Sequence, residues 1–324
     1  MLNDYNIIYE SFNPAILHFS RMSNGYFEGW YFKVEDSAGE NVFAFIPGIS
    51  KSKHNSHSFV QFFNGSSNSS HYFKYNFKKF RSSKKHFYIE ISENSFSKKE
   101  CCIALEQDNF KVSGNLIFHD ITGLNNSLFQ PGAMGPFGYL NFLECNHHIL
   151  SMNHSISGTL EVNGKTIDMN GGRGYIEKDW GTSFPKKYIW IQSNRFYEKN
   201  VSVMLSVATV PFMGSMFEGH ISVLRIGKTE YRFATYNLSK CRITHLEKKH
   251  CRVELISKKH TLLVEAIKGD DVLLKSPVLG TMSGRIGESL RGTVKILLKD
   301  NKGNIIYRGV GENSGVEIEY FDKE

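Results

Sequence analysis

Val201-Ser202-Val203-Met204-Leu205-Ser206-Val207-Ala208 places a branched aliphatic residue at every second position. A period of two belongs to an extended chain, whose successive side chains leave by opposite faces. The stretch therefore reads as a strand with two different faces. The same rhythm spreads outward from it. Downstream, Ile221–Arg225 with Tyr231–Phe233, and Cys251–Leu255 with Leu262–Ala266, continue the alternation through Gly- or Lys-containing turns. Asp300–Gly303 joins Val294, Ile296 and Leu298 to Ile305 and Tyr307. Upstream, Ile156–Leu160 and Lys165–Met169 flank Asn163-Gly164, a pair suited to the positive φ angles of a tight hairpin. Helical spacing is scarce, and only Gly287–Gly292 (GESLRG) and Asn125–Gln130 read as short helical turns. Strands at this spacing point to antiparallel barrels or sandwiches rather than to βαβ units.

The chain has 324 residues, more than one core usually organises, so two domains are expected. MNGG at Met169–Gly172 interrupts the strand rhythm and sets the expected boundary, giving domains 1–170 and 171–324. Aromatic residues make up 13% of the chain, with 25 Phe and 15 Tyr, which supplies a core and favours strands. The five cysteines are odd in number and lack C-x-x-C spacing, which argues against a disulfide framework or a structural zinc. The first residues do not read as a signal or transit peptide, and no run approaches the roughly 20 apolar residues of a spanning helix. A cytoplasmic protein is expected.

A net charge of +7 admits an anionic membrane surface, a polyanion or an acidic ligand as partner. Its sharpest expression is His71–His86 (HYFKYNFKKFRSSKKH). This stretch suits an edge hairpin protected by lysines better than a nucleic-acid strand, because no nucleic-acid motif accompanies it. Peripheral contact with a membrane stays open, and no nucleic-acid partner is expected.

Three segments concentrate groups that carry chemistry. In Phe27–Lys33 (FEGWYFK), alternation puts Glu28, Trp30 and Phe32 on one face and Tyr31 and Lys33 on the other. An acid beside a Trp can deliver a proton and stabilise the cation that results, although a Trp in such a strand also serves as a core plug. Glu144–Ser157 (ECNHHILSMNHSIS) gathers His147, His148 and His154. No motif fixes metal geometry there, so the histidines are read as groups that orient or deprotonate a phenol, or as satisfied core residues. In Gly171–Asn194 (GGRGYIEKDWGTSFPKKYIWIQSN), Tyr175, Glu177 and Asp179 share one face, and Ile176, Lys178 and Trp180 the other. Two carboxylates on one face permit one to remain protonated; an ion-pair network with Arg173 and Lys178 is the equal alternative. The Gly/Pro-rich stretch Gln130–Gly138 reads as a functional loop or a linker. Hydrolase, kinase and dehydrogenase signatures are missing.

These segments resemble the tocopherol-cyclase-like family, through FEGWYFK, LECNHHILSMNHSISG at Leu143–Gly158, GRGYIEKDWGTSFPKKYIWIQSN at Gly172–Asn194 and the closing GVEIEY. The resemblance implies two lipocalin-like (calycin-type) antiparallel β-barrels or sandwiches packed together. It also implies cofactor-free, metal-free acid catalysis on a prenylated aromatic or other isoprenoid. On matching positions, Asp179 is the expected proton donor, helped by Glu177 or Glu28, and His147 orients or deprotonates the phenol. Trp30, Tyr31, Trp180, Tyr175 and Trp190 are expected to line the substrate site, with Arg173, Lys178 and His154 also contacting substrate. The rival from a different class is a carrier that holds a hydrophobic molecule unchanged, which needs the aromatic lining but not the carboxylates.

Overall fold

A computed structural model describes residues 9–10, 12–18, 25–127, 130–140, 143–212 and 214–321. The chain forms two compact units. One comprises the described residues up to Phe184 together with Lys275–Arg285; the other comprises Pro185–Leu274 and the residues from Ile286 onward.

The first unit is built on β1 (Tyr26–Glu35), β2 (Val42–Lys51), β3 (His57–Asn64), β4 (Ser69–Asn76), β5 (Phe80–Ser82) and β6 (Tyr88–Ile91). It continues with β7 (Asn94–Ser97), β8 (Glu100–Gln107), β9 (Phe110–Thr122), β10 (Cys145–Val162), β11 (Lys165–Asp168) and β12 (Gly172–Gly181). The sheet order is β4-β3-β2-β1-β12-β10-β9-β8-β7-β6-β5, with β11 paired to β10. The sheet curls so that β3 approaches β6 and β4 approaches β8. Aromatic rings fill its concave side. Phe32 of β1 meets Phe87, Phe96 of β7 and Phe118 of β9 at centroid separations of 6.1, 5.4 and 6.1 Å. The basic stretch 71–86 runs through β4 and β5, the two end strands of this sheet, where unpaired edges most need charge.

The second unit carries β13 (Lys187–Ser193), β14 (Val201–Phe212), β15 (Ser215–Ile226), β16 (Thr229–Ala234), β17 (Lys240–Leu246), β18 (His250–Ile256) and β19 (His260–Ile267). With β20 (Val272–Val278), β21 (Thr281–Asp300) and β22 (Ile305–Glu319) these form a second sheet, ordered β16-β15-β14-β13-β22-β21-β19-β18-β17. Its core is largely aliphatic and includes the Val201, Val203, Leu205 and Val207 face of β14. The opposite face is partly covered too, since Ser202 and Met204 are also buried.

Most of the strand reading is reproduced. Asn163 and Gly164 turn the β10–β11 hairpin at φ 49° and 80°. Two expectations differ. Gly287–Gly292 is not a helical turn but part of β21, where Glu288 and Ser289 pair with Glu317 and Val316 of β22 and Leu290 is buried. The ladder to β22 overrides the local preference. Met169–Gly172 does not end the first unit. It is a tight turn feeding β12, which lies between β1 and β10 in the first sheet. Of Asn125–Gln130, residues 128–129 lie outside the described residues, and Ser127 and Gln130 form an isolated bridge.

Candidate active site

β12 carries the site because its two faces do different things. Pairing with β1 sets Glu28 opposite Trp180, Trp30 opposite Lys178 and Tyr31 opposite Glu177. Pairing with β10 sets His147 opposite Asp179 and His148 opposite Lys178. Residues facing each other across an antiparallel pair share a face. Glu28, Trp30, Lys178 and Trp180 therefore lie on the side of the aromatic core, and Tyr31, Tyr175, Glu177, Asp179 and His147 on the other.

On the core side, Lys178 is fully buried and forms an ion pair with fully buried Glu28. Its ammonium lies over the rings of Trp30 and Trp180, at 5.0 and 4.7 Å from their centroids. It also donates to the carbonyls of Pro14 (2.8 Å) and Ile16 and lies 3.2 Å from His18 Nδ1. Glu28 accepts from Tyr26 Oη at 2.7 Å and from the His18 backbone N–H at 3.2 Å. Trp30 Nε1 donates to Ala15 O at 2.9 Å. Burial raises the Glu28 pKa, opposed by the Lys178 charge and by these hydrogen bonds. The partners of Glu28, Trp30 and Lys178 thus include the backbone of segment 14–18. That arrangement is an anchored strap with a satisfied ion pair, not an open acid site.

The other side holds a different cluster. His147 Nδ1 bonds Asp179 Oδ1 at 2.8 Å, and His147 Nε2 stands 3.6 Å from Glu177 Oε2. Tyr175 Oη donates to Glu177. Burial alone would lower the His147 pKa, but the charges of Glu177 and Asp179 and the bond to Asp179 outweigh it and hold it up at about 9. Burial, then Glu177, pushes the Tyr175 phenol well up, so Tyr175 stays a donor. The result is an imidazole held in its protonated form between two carboxylates. The same three residues can bring their ligand atoms within 4.8 Å of one another, a geometry that also admits a metal ion.

His147 borders a small, half-open cleft with room for little more than a water molecule, lined by Pro14, Gly132, Met134, His148 and Trp180 among others. The 131–139 segment forms one wall. It is fastened by Ala133 N–H to His148 Nδ1 at 3.3 Å and by His147 N–H to Met134 Sδ at 3.2 Å. Gly132 permits the approach, since a Cβ there would sit 2.8 Å from His148 Nδ1. Among the described residues, three buried polar atoms on the core face of β10 and β12 have no hydrogen-bond partner: Trp180 Nε1, Asn146 Oδ1 and His154 Nε2.

Several sequence candidates lie apart from this cluster. His154 pairs in register with Gly174, five residues along β12 from Asp179 and roughly 16 Å away at strand rise. It bonds Ser151 Oγ at 2.9 Å and packs on Phe118, and burial drives its pKa down to about 3. Arg173 lies still farther along, opposite Glu35 and Ser155. Trp190 belongs to the second unit, over Gly315, where a Cβ would meet its ring at 2.6 Å. Asn146 and the strap residues Pro14–His18 escaped the sequence reading, whereas Met134 lies in the Gln130–Gly138 stretch read as a functional loop or a linker. Asn146 adjoins a quoted histidine pair, and that adjacency was the only signal for it.

The chain matches the family profile described as Tocopherol cyclase-like over residues 121–319. A probable chloroplastic tocopherol cyclase of Oryza sativa subsp. japonica is 29% identical over 79 residues, and the chloroplastic tocopherol cyclase of Zea mays 33% identical over 79. Each stretch covers 24% of this chain and only 17% of the plant protein. Among solved structures, CghA with Sch210972 superposes with a TM-score of 0.56 at 8% identity, covering 92% of this chain and 89% of that one. Kievitone hydratase from Nectria haematococca gives 0.52 at 11%, covering 92% and 90%. At such identities the likeness is one of fold.

Proposed function

The chain belongs to the tocopherol cyclase-like family, and from that premise we propose that it is a cyclase- or hydratase-type enzyme acting on a hydrophobic isoprenoid such as a prenylated phenol. The observation that carries the reading is the His147–Asp179 bond of 2.8 Å at the rim of a cleft lined by Trp180. Imidazolium with carboxylate and imidazole with carboxylic acid are the same pair differing in the position of one proton. A ligand that displaces water from the cleft disfavours the separated charges and shifts the proton toward Asp179.

Asp179 then protonates the less substituted carbon of a trisubstituted double bond, leaving a tertiary cation. The Asp179 carboxylate left behind, with Glu177 on the same face, stabilises that cation electrostatically. The phenol oxygen forms the new C–O bond and gives its proton to neutral His147, which restores the resting pair. In a hydratase the nucleophile is water and the proton count is the same. One proton is lent and one returned, so the balance closes without an oxidant or reductant. Glu177, held by Tyr175, keeps His147 the basic member of the pair between turnovers.

The test is incubation with a prenylated hydroquinone in D₂O, followed by mass spectrometry. The expected product is a chromanol carrying one deuterium on the former alkene carbon, lost in Asp179→Asn and His147→Ala. Recovery of the unchanged quinol bound to both wild type and Asp179→Asn would instead identify a carrier.

A further inference from the structure

The second unit holds a cluster that the proposed reaction does not use. His245 on β17, Glu247 in the turn and His250 at the start of β18 can bring three ligand atoms within 4.8 Å of one another. The hairpin register explains why. His245 pairs with Arg252, so it lies diagonal to His250 on the same face, and the rings approach to 4.3 Å between centroids. The turn is closed by Glu247 N–H to His250 O at 2.7 Å, which brings the Glu247 carboxylate to 3.3 Å from His245 Nε2. That nitrogen is shielded from solvent yet makes no hydrogen bond. The next strand adds a carboxylate: Glu265 bonds His250 Nε2 at 2.9 Å and is itself held by Arg252 at 3.0 Å.

We infer that this hairpin is a binding site for a divalent late transition metal of the Zn²⁺ class, with His245, Glu247 and His250 as ligands. Two imidazoles and one carboxylate match the borderline-soft donor preference of such ions and leave a fourth position for water. Bonds of about 2.0–2.2 Å put tetrahedral ligand atoms roughly 3.3–3.5 Å apart, so the side chains need close by only about an ångström. At 35%, 68% and 30% exposure they have the freedom to do so. Glu265 positions the His250 ring from outside, as a carboxylate commonly does for a ligating histidine. Because β17 ends the sheet, an ion bridging it to β18 would clip an otherwise unsupported edge strand.

The experiment titrates the full chain, free of any affinity tag, with Co²⁺ as a spectroscopic probe and then Zn²⁺ as competitor. His147→Ala serves as the background, so that the first-unit cluster cannot supply the signal. One equivalent is expected to give the visible absorption of tetrahedral Co²⁺, displaced by Zn²⁺, together with a rise in Tm. His245→Ala and His250→Ala should each abolish both readouts, while Glu265→Gln weakens binding by roughly 10- to 100-fold. Circular dichroism checks that these surface variants fold. No saturable binding by the background protein, or binding that survives the double variant of His245 and His250, overturns the proposal.

Discussion

Glu28 and Asp179 stand on neighbouring strands of one sheet but face opposite sides of it. Glu28 is opposite Trp180 in register, while Asp179 is opposite Gly29. The first carboxylate is sealed against Lys178 and the strap, the second is bonded to His147 beside the cleft. Residues that a linear reading groups as helpers of one acid therefore have separate duties.

Glu28→Gln is expected to destabilise the fold by about 3–5 kcal/mol, because it leaves the buried Lys178 ammonium without its counter-charge. The double substitution Glu28→Leu with Lys178→Met should recover most of that loss. Urea denaturation of the three proteins checks this, and a neutral Glu28→Gln would refute the anchoring role.

His147 gives stability a definite pH dependence. Its pKa of about 9 in the folded chain exceeds the unfolded value of about 6.5, so its contribution is complete below pH 6.5 and fades as pH rises through 9. The size is on the order of 3 kcal/mol. In Asp179→Asn the imidazole titration, followed by NMR, should move downward and the alkaline loss should shrink.

His154 acts in the opposite sense at acid pH. Its folded pKa of about 3 lies below the unfolded value, so its contribution is complete above pH 6.5 and falls away as pH drops toward 3. His154→Met should flatten the stability profile over that interval, as measured by Tm across pH, without altering turnover.

Gly132→Ala and Gly174→Ala separate function from folding. A Cβ at Gly132 presses on His148 in the cleft wall and should reduce turnover with little change in Tm. A Cβ at Gly174 would lie 2.1 Å from the buried His154 ring and should cost about 1–3 kcal/mol of stability. Comparable Tm losses in both would show that the 131–139 wall is part of the core.

What the chain declares by itself is periodicity. Alternation over 201–207, the Asn163-Gly164 turn and the opposed faces of Lys178 and Asp179 are local properties of an extended backbone, and they survive folding because nothing distant can change the period of a strand. What alternation cannot say is which face meets the core, or which strand lies alongside. Lys178 finds Pro14 and Ile16 across more than 160 residues of chain, and β12 joins the first sheet because β1 and β10 leave a ladder open between them. Such pairings rest on the summed burial and hydrogen bonding of whole strands, so only the folded chain decides that His147 meets Asp179, that His154 packs into the core, and that Glu28 holds a strap.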